Sequence, residues 1–379
     1  MAPRQNPFVF GEIVEQNGFV DREQELKQLV RDLADGQKIF LLSPRRFGKS
    51  SLVSLAFLQL RKQGIRTVNL AVSSYTSYAQ FLEKFAQQVL RAGGTWDQVK
   101  GWVARFLKRV RPQLSVDPVS GEVTLGLTGV GSDPTPLAPE IFAMPGELAR
   151  NARLRMAICL DEFQQITNFD SRSVENALRN EVQKQRQVGY VFAGSQPSLM
   201  EEMLSRGRPF HGAGPKMFLD KIPADAWKEF ISRQFRQQKR ALTERTLEEL
   251  LKVADLIPYD VQRIAHELWD YAELMDKRTL DVEDLNHIID GLVASQSVLY
   301  ERMWEQLTLL QRAVLRAVAQ RGMSGLLSAA VREAHGLGPP SSVQKALQSL
   351  DAQDILDRYK NEYFLVDPIF AAWIRKTSP

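Results

Sequence analysis

Short apolar runs alternate with longer stretches in which apolar residues recur every three or four positions. The short runs predict β-strands at residues 39–42, 66–72, 156–160, 190–194 and 216–219. The longer stretches predict amphipathic helices at residues 50–62 and 78–92. Because strands and helices alternate along the chain, we expect an α/β fold with a parallel sheet covered by helices on both faces.

This alternation breaks between about residues 94 and 145, which predicts an insertion in the α/β region. Residues 113–127 alternate apolar and polar side chains and predict a β-hairpin that turns at residues 117–121. Residues 128–145 are rich in Gly, Pro, Ser and Thr and predict a loop.

The strand pattern stops after residue 222. Helical patterns follow at residues 224–238, 243–254, 259–275 and 282–294, which predicts a small helical lid domain. Three more helical patterns, at residues 300–321, 326–335 and 341–351, precede two short strands around a turn at Lys360–Asn361. Helices followed by a β-hairpin are typical of a winged helix. We therefore expect three domains, at residues 1–222, 223–298 and 299–379.

A candidate phosphate-binding loop follows the first predicted strand. Ser43-Pro-Arg-Arg-Phe-Gly-Lys-Ser50 fits the pattern G-x-x-x-x-G-K-[ST] except that Ser43 replaces the first glycine. Backbone N–H groups of such a loop surround a phosphate at the positive end of the next helix. We expect Lys49 to reach the β- and γ-phosphates and the Ser50 hydroxyl to bind Mg²⁺. The predicted nucleotide-binding residues of the loop are Pro44, Arg45, Arg46, Phe47, Gly48, Lys49, Ser50 and Ser51.

Two acidic residues end a second buried strand. The run Met156-Ala-Ile-Cys-Leu is followed directly by Asp161 and Glu162. Since ligands of open α/β sheets bind at the carboxyl ends of strands, these acids are expected to face the phosphate loop. Asp161 is placed to hold Mg²⁺ and Glu162 to polarise the attacking water. Ser195 ends a third strand and is expected beside the γ-phosphate.

The chain resembles the archaeal-type P-loop ATPases of the AAA+/STAND branch, which also occur in bacteria. The matching segments are Asn6-Pro-Phe8, Phe19-Val-Asp-Arg-Glu23, the loop at residues 43–50, Leu160-Asp-Glu-Phe-Gln164, Phe192-Ala-Gly-Ser195, Pro258-Tyr259 and Tyr363-Phe-Leu-Val-Asp-Pro-Ile-Phe370. They cover nearly the whole chain except residues 94–145. The resemblance implies a P-loop ATPase core, a lid domain and a C-terminal winged helix, with ATP and Mg²⁺ as ligands.

The resemblance also implies roles for residues outside the two main motifs. Phe19 to Arg22 would lie near the adenine, which favours ATP over GTP. Ser195 would sense the γ-phosphate. Pro258 would be the first residue of a lid-domain helix that closes over the nucleotide, and Arg263 on that helix would be a second sensor. In relatives of this class an arginine often completes the nucleotide site. Arg206 and Arg208 are the candidates for that role here, although each could equally be a surface arginine in a loop. Arg45 and Arg46 could likewise contact phosphate or face solvent.

Amino-acid composition indicates the class of protein and its cellular compartment but not the biological process that it serves. The 379 residues carry a net charge of +4, with 44% apolar and 25% charged residues, as in ordinary globular proteins. No apolar run approaches the roughly 18 residues that span a bilayer, and no apolar stretch follows the amino terminus. The single cysteine, Cys159, excludes an intrachain disulfide. Together these features predict a cytoplasmic protein that does not bind membranes.

Three functional interpretations stay open. The first is a Mg²⁺-dependent ATPase that acts as a nucleotide-controlled molecular switch, with a protein partner or a homo-oligomer as its setting. The second is an ATP-regulated DNA-binding protein that uses the winged helix and the basic segment at residues 100–111. The third is a nucleotide-binding scaffold without hydrolysis, since a side chain on Ser43 could strain the loop.

Overall fold

The computed structural model describes residues 6–14, 18–93, 113–116, 123–126, 135–169, 171–320, 325–359 and 362–377. The predicted basic segment at 100–111 and the predicted turns at 117–121 and 360–361 lie outside the described residues. The chain divides into two compact units. One comprises residues 22–43 and 49–219, which we call the sheet unit, and the other comprises residues 1–21, 44–48 and 220–379, which we call the helical unit.

A five-stranded parallel sheet forms the centre of the sheet unit. Its strands are β1 (Lys38–Leu42), β2 (Arg66–Ala71), β5 (Met156–Asp161), β6 (Val188–Gly194) and β7 (Lys216–Phe218), in the order β2-β5-β6-β1-β7. Strands β3 (Gln113–Val116) and β4 (Val123–Gly126) pair separately as the predicted antiparallel hairpin. All seven residues of β6 are buried, as expected for a central strand covered on both faces.

The strand register places three chain segments at one edge of the sheet. Leu42 of β1 lies opposite Gly194 of β6, and Ala71 of β2 lies opposite Asp161 of β5. Leu160 of β5 lies opposite Phe192 of β6. The carboxyl ends of β1, β5 and β6 are therefore neighbours, as the sequence predicts. They lead into the candidate phosphate-binding loop, the acid pair and Ser195, respectively.

Helices cover this sheet on both sides. They are α1 (Glu23–Ala34), α2 (Lys49–Lys62), α3 (Tyr78–Gly93), α4 (Ala138–Asn151), α5 (Ser171–Val182) and α6 (Pro197–Met203). Helix α4 corrects the predicted loop at 128–145. Its residues Ile141, Phe142 and Leu148 are buried at helical spacing, so packing outweighs the loop-like composition and the internal Pro145.

The helical unit contains mostly helices. They are α7 (Ala224–Gln237), α8 (Glu244–Val253), α9 (Pro258–Leu274), α10 (Val282–Glu305), α11 (Leu309–Ala319), α12 (Ala329–Ala334), α13 (Pro340–Ala352) and α14 (Pro368–Thr377). Two short strand pairs accompany them: β8 (Ala241–Leu242) with β9 (Thr279–Leu280), and β10 (Leu356–Tyr359) with β11 (Glu362–Leu365). Phe8, near the start of the chain, packs on Phe230, Phe235 and Trp269 in the core of this unit.

The prediction of one continuous helix at residues 300–321 is wrong, because two helices share this segment. Helix α10 extends to Glu305, and a separate helix, α11, begins at Leu309. The break is made by Thr308, whose hydroxyl oxygen accepts a hydrogen bond from the backbone N–H of Gln311 while its own backbone N–H donates to Gln311 Oε1. The boundary at 298/299 falls inside α10, and the three-domain division stays a prediction. None of the described helices has the length and apolar character needed to cross a bilayer.

The close approach of β6 to α1 generates a testable prediction. A Cβ atom on Gly189 would lie 2.4 Å from the carbonyl oxygen and 2.8 Å from the Cα of Leu33. Because both atoms are backbone, they cannot move aside, and we expect Gly189→Ala to destabilise the protein by about 2–3 kcal/mol.

The control is Gly291→Ala, which adds the same methyl group within α10, where no described atom other than those of the adjacent residues and of the helix's own backbone lies within 4 Å of the new Cβ. This variant should keep or raise the melting temperature, since alanine favours helix by about 1 kcal/mol over glycine. Thermal unfolding followed by circular dichroism checks both. Equal melting temperatures for the Gly189→Ala variant and the parent would contradict the packing described here.

Candidate functional site

The candidate phosphate-binding loop, which we call the phosphate loop, connects β1 to α2, and its backbone accounts for the unusual Ser43. Ser43 is buried, and its amide donates to the Gly194 carbonyl oxygen at 3.3 Å, extending the pairing of β1 with β6. Left-handed backbone occurs at Arg46 (φ 69°) and Gly48 (φ 87°) but not at Ser43. A side chain at Ser43 is therefore compatible with the loop, whereas Gly48 occupies a conformation that favours glycine.

Lys49 opens α2 and contacts both acids at the end of β5. Its side chain is 7% exposed, and its ammonium group donates a hydrogen bond to the Asp161 carboxylate. The Lys49 Nζ also lies 3.6 Å from Glu162 Oε1. One buried cation thus lies against two carboxylates, and their opposite charges offset the loss of hydration that burial of the ammonium group entails.

Glu162 is held in a specific orientation by its neighbours. Its backbone is left-handed, with φ 51° and ψ 42°, which turns the chain from β5 into a short helical segment at Phe163–Asn168. The Ser195 hydroxyl donates to Glu162 Oε2 at 2.5 Å, and Gln164 Nε2 donates to the same oxygen at 2.7 Å. The predicted residues Lys49, Asp161, Glu162 and Ser195 are therefore brought together.

Gln164 belongs to this cluster although the sequence analysis gave it no role. It is 2% exposed, and its Oε1 has no hydrogen-bond partner among the described residues. Its only signal in the sequence is its position two residues after Glu162, within the segment that carries the family resemblance. A buried amide oxygen without a partner is costly unless a donor approaches it, so this atom has capacity for one more hydrogen bond.

The oxygen atoms at this edge suit Mg²⁺. No described group of three or more His, Cys, Asp or Glu side chains could hold a metal ion by itself. Magnesium in nucleotide sites commonly takes one or two protein oxygens and completes its shell with phosphates and water. The exposed Ser50 hydroxyl and the Asp161 carboxylate are donors of this kind, and Asp161 already attracts the Lys49 ammonium group. These residues fit the ion.

Other predicted nucleotide-binding residues have varied surroundings. Within the sheet unit, Ser51 is buried in α2, and Arg22 is 5% exposed and donates to Glu25 Oε1 at 2.9 Å. Within the helical unit, Phe19 is half-buried, and Pro44 and Phe47 of the loop are buried. Their proximity to an adenine stays a prediction.

The two residues predicted to act from a lid, Pro258 and Arg263, lie on α9 of the helical unit. Pro258 is the first residue of this helix, as predicted. Arg263 follows about one turn later, and its guanidinium donates to the Gln296 side chain when that amide is turned so its oxygen faces the arginine. A sensor role for Arg263 stays a prediction.

Cys159 lies inside β5, two residues before Asp161. It is buried, and burial raises the pKa of its thiol well above the ordinary value. The thiol is therefore a packing group rather than a nucleophile.

Comparison with protein-family models decides the family. Residues 19–264, well over half of the chain, match the model described as an ATPase domain predominantly from Archaea. The chain belongs to this ATPase family. Residues 298–376 match a second model, described as a probable winged helix domain. The predicted family, the P-loop ATPase fold and the C-terminal winged helix are thus confirmed.

Solved structures agree on the fold. The Walker-type ATPase PABY2304 of Pyrococcus abyssi is similar with a TM-score of 0.64 and 17% identity, covering 97% of this chain and 99% of that one. The ORC2 protein of Aeropyrum pernix in its ADP form has a TM-score of 0.52 and 14% identity, with 97% of both chains covered. No curated protein sequence gave a match. At these identities the likeness shows the fold alone.

The two arginines predicted to complete the site differ in their surroundings. Arg208 donates to Glu175 Oε1 at 3.0 Å, and the Glu175 side chain is fully buried. Arg206 is exposed. Burial raises the pKa of Glu175, and the nearby Arg208 opposes that rise. This geometry supports a structural role for Arg208 and leaves Arg206 as the accessible candidate.

We therefore expect Arg208→Ala to destabilise the fold by about 3 kcal/mol, because it leaves the Glu175 carboxylate buried without its partner. Arg206→Ala, the matched control, should change stability by less than about 0.5 kcal/mol. Chemical denaturation measures both values.

The loss in Arg208→Ala should be larger at pH 8 than at pH 5. An unpaired Glu175 has a folded-state pKa further above its unfolded value, so its destabilising effect grows as pH rises and the group ionises. A pH-independent loss would contradict the pairing of Arg208 with an ionised Glu175.

Proposed function

We propose that this ATPase family member hydrolyses ATP with Mg²⁺ and acts as a nucleotide-controlled molecular switch. The observation that carries the proposal is the cluster of Lys49, Asp161, Glu162 and Ser195 at the carboxyl edge of the parallel sheet. Ligands bind at this edge in open α/β folds. The cluster contains a cation for phosphate, oxygens for a metal ion and an oriented carboxylate for water.

Lys49 has two alternative partners in this account. In the structure its ammonium group lies on the acid pair. When ATP binds, the β- and γ-phosphates would draw Lys49 toward the loop, which is the role of the lysine in phosphate loops. Ser50 and Asp161 would then hold Mg²⁺, whose charge neutralises phosphate oxygens during hydrolysis.

Glu162 is the group proposed to orient and polarise the attacking water. Its Oε2 atom accepts hydrogen bonds from Ser195 and Gln164, which fix the carboxylate. A catalytic carboxylate gains from such support because a small misplacement lowers the rate strongly. Ser195 could exchange its hydrogen bond to Glu162 for one to the γ-phosphate, which would link water activation to the presence of that phosphate.

The preference for ATP over GTP, the sensor role of Arg263 and the switching motion are further parts of this proposal. They are supported by the family match and by the place of Pro258 at the start of α9. A switch requires only that nucleotide binds two conformations with different affinity. A third interpretation, a scaffold that never hydrolyses ATP, loses its main argument because the backbone of Ser43 is not left-handed.

ATP-regulated DNA binding is the second candidate, and the winged-helix match favours it. The third helix of that domain, α13, offers Lys345 as an exposed cation but is followed by Asp354 and Asp357. Specific DNA binding usually needs several phosphate contacts, and these carboxylates oppose them. A DNA-binding titration at increasing salt, with and without ATP, separates the candidates, since a steep salt dependence would favour DNA binding.

The hydrolysis proposal predicts that Glu162→Gln binds ATP normally but turns it over about 100–10,000 times more slowly, because the amide cannot act as a base. Phosphate release measured at saturating ATP checks the rate, and a fluorescent nucleotide checks binding.

The control is Glu147→Gln, in which the altered residue pairs with the exposed Arg150 on α4. It should leave both quantities unchanged. Normal turnover in Glu162→Gln would remove Glu162 from the proposed role.

A further inference from the structure

The tip of the phosphate loop is packed on the C-terminal part of the helical unit. The amide of Tyr259, at the start of α9, donates to the Arg46 carbonyl oxygen at 3.3 Å. The Arg45 guanidinium lies 2.7 Å from Asp354 Oδ2, and the Phe47 and Phe364 rings have centroids 6.3 Å apart. These contacts join residues 45–47 to α9 and to the segment matched by the winged-helix model.

Arg46 makes the most extensive of these contacts. Its guanidinium lies 4.8 Å from the centre of the Tyr259 ring and 3.6 Å from Asp260 Oδ2. It also donates to the Val366 carbonyl oxygen at 3.3 Å, immediately after β11. A single side chain of the loop thus bridges α9 and the winged-helix segment.

Asp260 is an unusual partner because its side chain is 0% exposed. Neither carboxylate oxygen accepts a hydrogen bond from any described residue. The buried charge is therefore compensated by neighbouring charges rather than by hydrogen bonds, and Arg46 is the ion-pair partner within 4 Å. An ionised carboxylate in such a place is expensive without its partner.

Other charged groups also face Asp260. Arg263 lies on the same helix, and Asp367 follows β11 and accepts a hydrogen bond from Tyr300 of α10 at 3.0 Å. Burial raises the pKa of Asp260 to about 7, with Arg46 and Arg263 opposing the rise and Asp367 adding to it. Asp260 consequently changes its protonation state near neutral pH.

We propose that Asp260 is a positioning residue that holds the tip of the phosphate loop, through Arg46, against α9 and the winged-helix segment. The loop needs a defined arrangement of backbone N–H groups to surround a phosphate, and Arg46 itself has left-handed backbone. Without the pair the loop would have to become ordered on binding, which lowers affinity. This role rests on the proposed ATP binding. It implies that contacts with the winged-helix segment help to keep the loop in the conformation that binds ATP.

The Arg45–Asp354 pair provides an internal comparison. Both of its side chains are 40% exposed. Exposed ion pairs contribute little, so this contact is not expected to hold the loop by itself. A substitution at Asp354 thus removes a charge of the same kind near the same loop but should leave the loop ordered.

Hydrogen exchange in the nucleotide-free protein tests the positioning role without any need for ATP. In Asp260→Asn and in Arg46→Ala, we expect the amides of residues 45–48 to lose about tenfold in protection, while Asp354→Asn stays near the parent. Protection in the parent should fall between pH 8.5 and pH 5.5, after correction for intrinsic exchange rates, and this fall should vanish in Asp260→Asn. Unchanged protection in both Asp260→Asn and Arg46→Ala would overturn the proposal.

ATP affinity provides the second arm. Asp260→Asn and Arg46→Ala should each weaken binding of a fluorescent ATP analogue about tenfold, and the double variant should bind no more weakly than either single one. Multiplying losses, or a loss in Arg46→Ala alone, would instead mean that Arg46 contacts phosphate directly and would overturn the role of Asp260. If the parent protein binds no ATP, the proposed function fails, and hydrogen exchange still decides whether Asp260 orders the loop.

Discussion

The contact of Lys49 with Asp161 and Glu162 is the interaction on which the candidate site depends. It joins the start of α2 to the end of β5 and balances one buried cation against two carboxylates. It exists because the parallel register aligns the carboxyl ends of the strands at one edge. Under the proposed function, ATP phosphates would compete with the two carboxylates for Lys49, which pairs with those carboxylates in the absence of nucleotide.

Support around this contact comes from uncharged groups. Ser195 and Gln164 orient Glu162 from one side, and the backbone amide of Glu162 donates to Asp161 Oδ1 at 3.0 Å. Each carboxylate is therefore held by hydrogen bonds in addition to its attraction for Lys49. A group held in this way needs little reorganisation when substrate arrives, which is the condition for efficient charge stabilisation.

Much of the fold could be predicted from the sequence because strands and helices of the sheet unit have distinct apolar spacing. The segment at 138–151 escaped prediction since its glycine and prolines resemble a loop, and only packing of Ile141 and Phe142 makes it helical. The end of α10 was missed because the capping box at Thr308 is local and interrupts an otherwise continuous helical pattern.

The candidate site likewise contains residues that the sequence predicts and residues that it does not. Lys49, Asp161, Glu162 and Ser195 follow strands, so the order of motifs along the chain predicts their meeting. The partners of Arg46 and Arg208 come from distant parts of the chain, at Asp260 and Glu175, and no spacing rule connects them. Such long-range charge pairs depend on tertiary packing, which a single sequence does not reveal.

The most direct test of the account is calorimetric titration of the full chain with ATP, with and without Mg²⁺, in the parent and in Lys49→Ala. We expect the parent to bind ATP, to bind it more tightly with Mg²⁺, and to lose at least about tenfold in affinity when the ammonium group of Lys49 is removed. Equal affinity of the parent and Lys49→Ala would contradict the claim that this cluster is the nucleotide site.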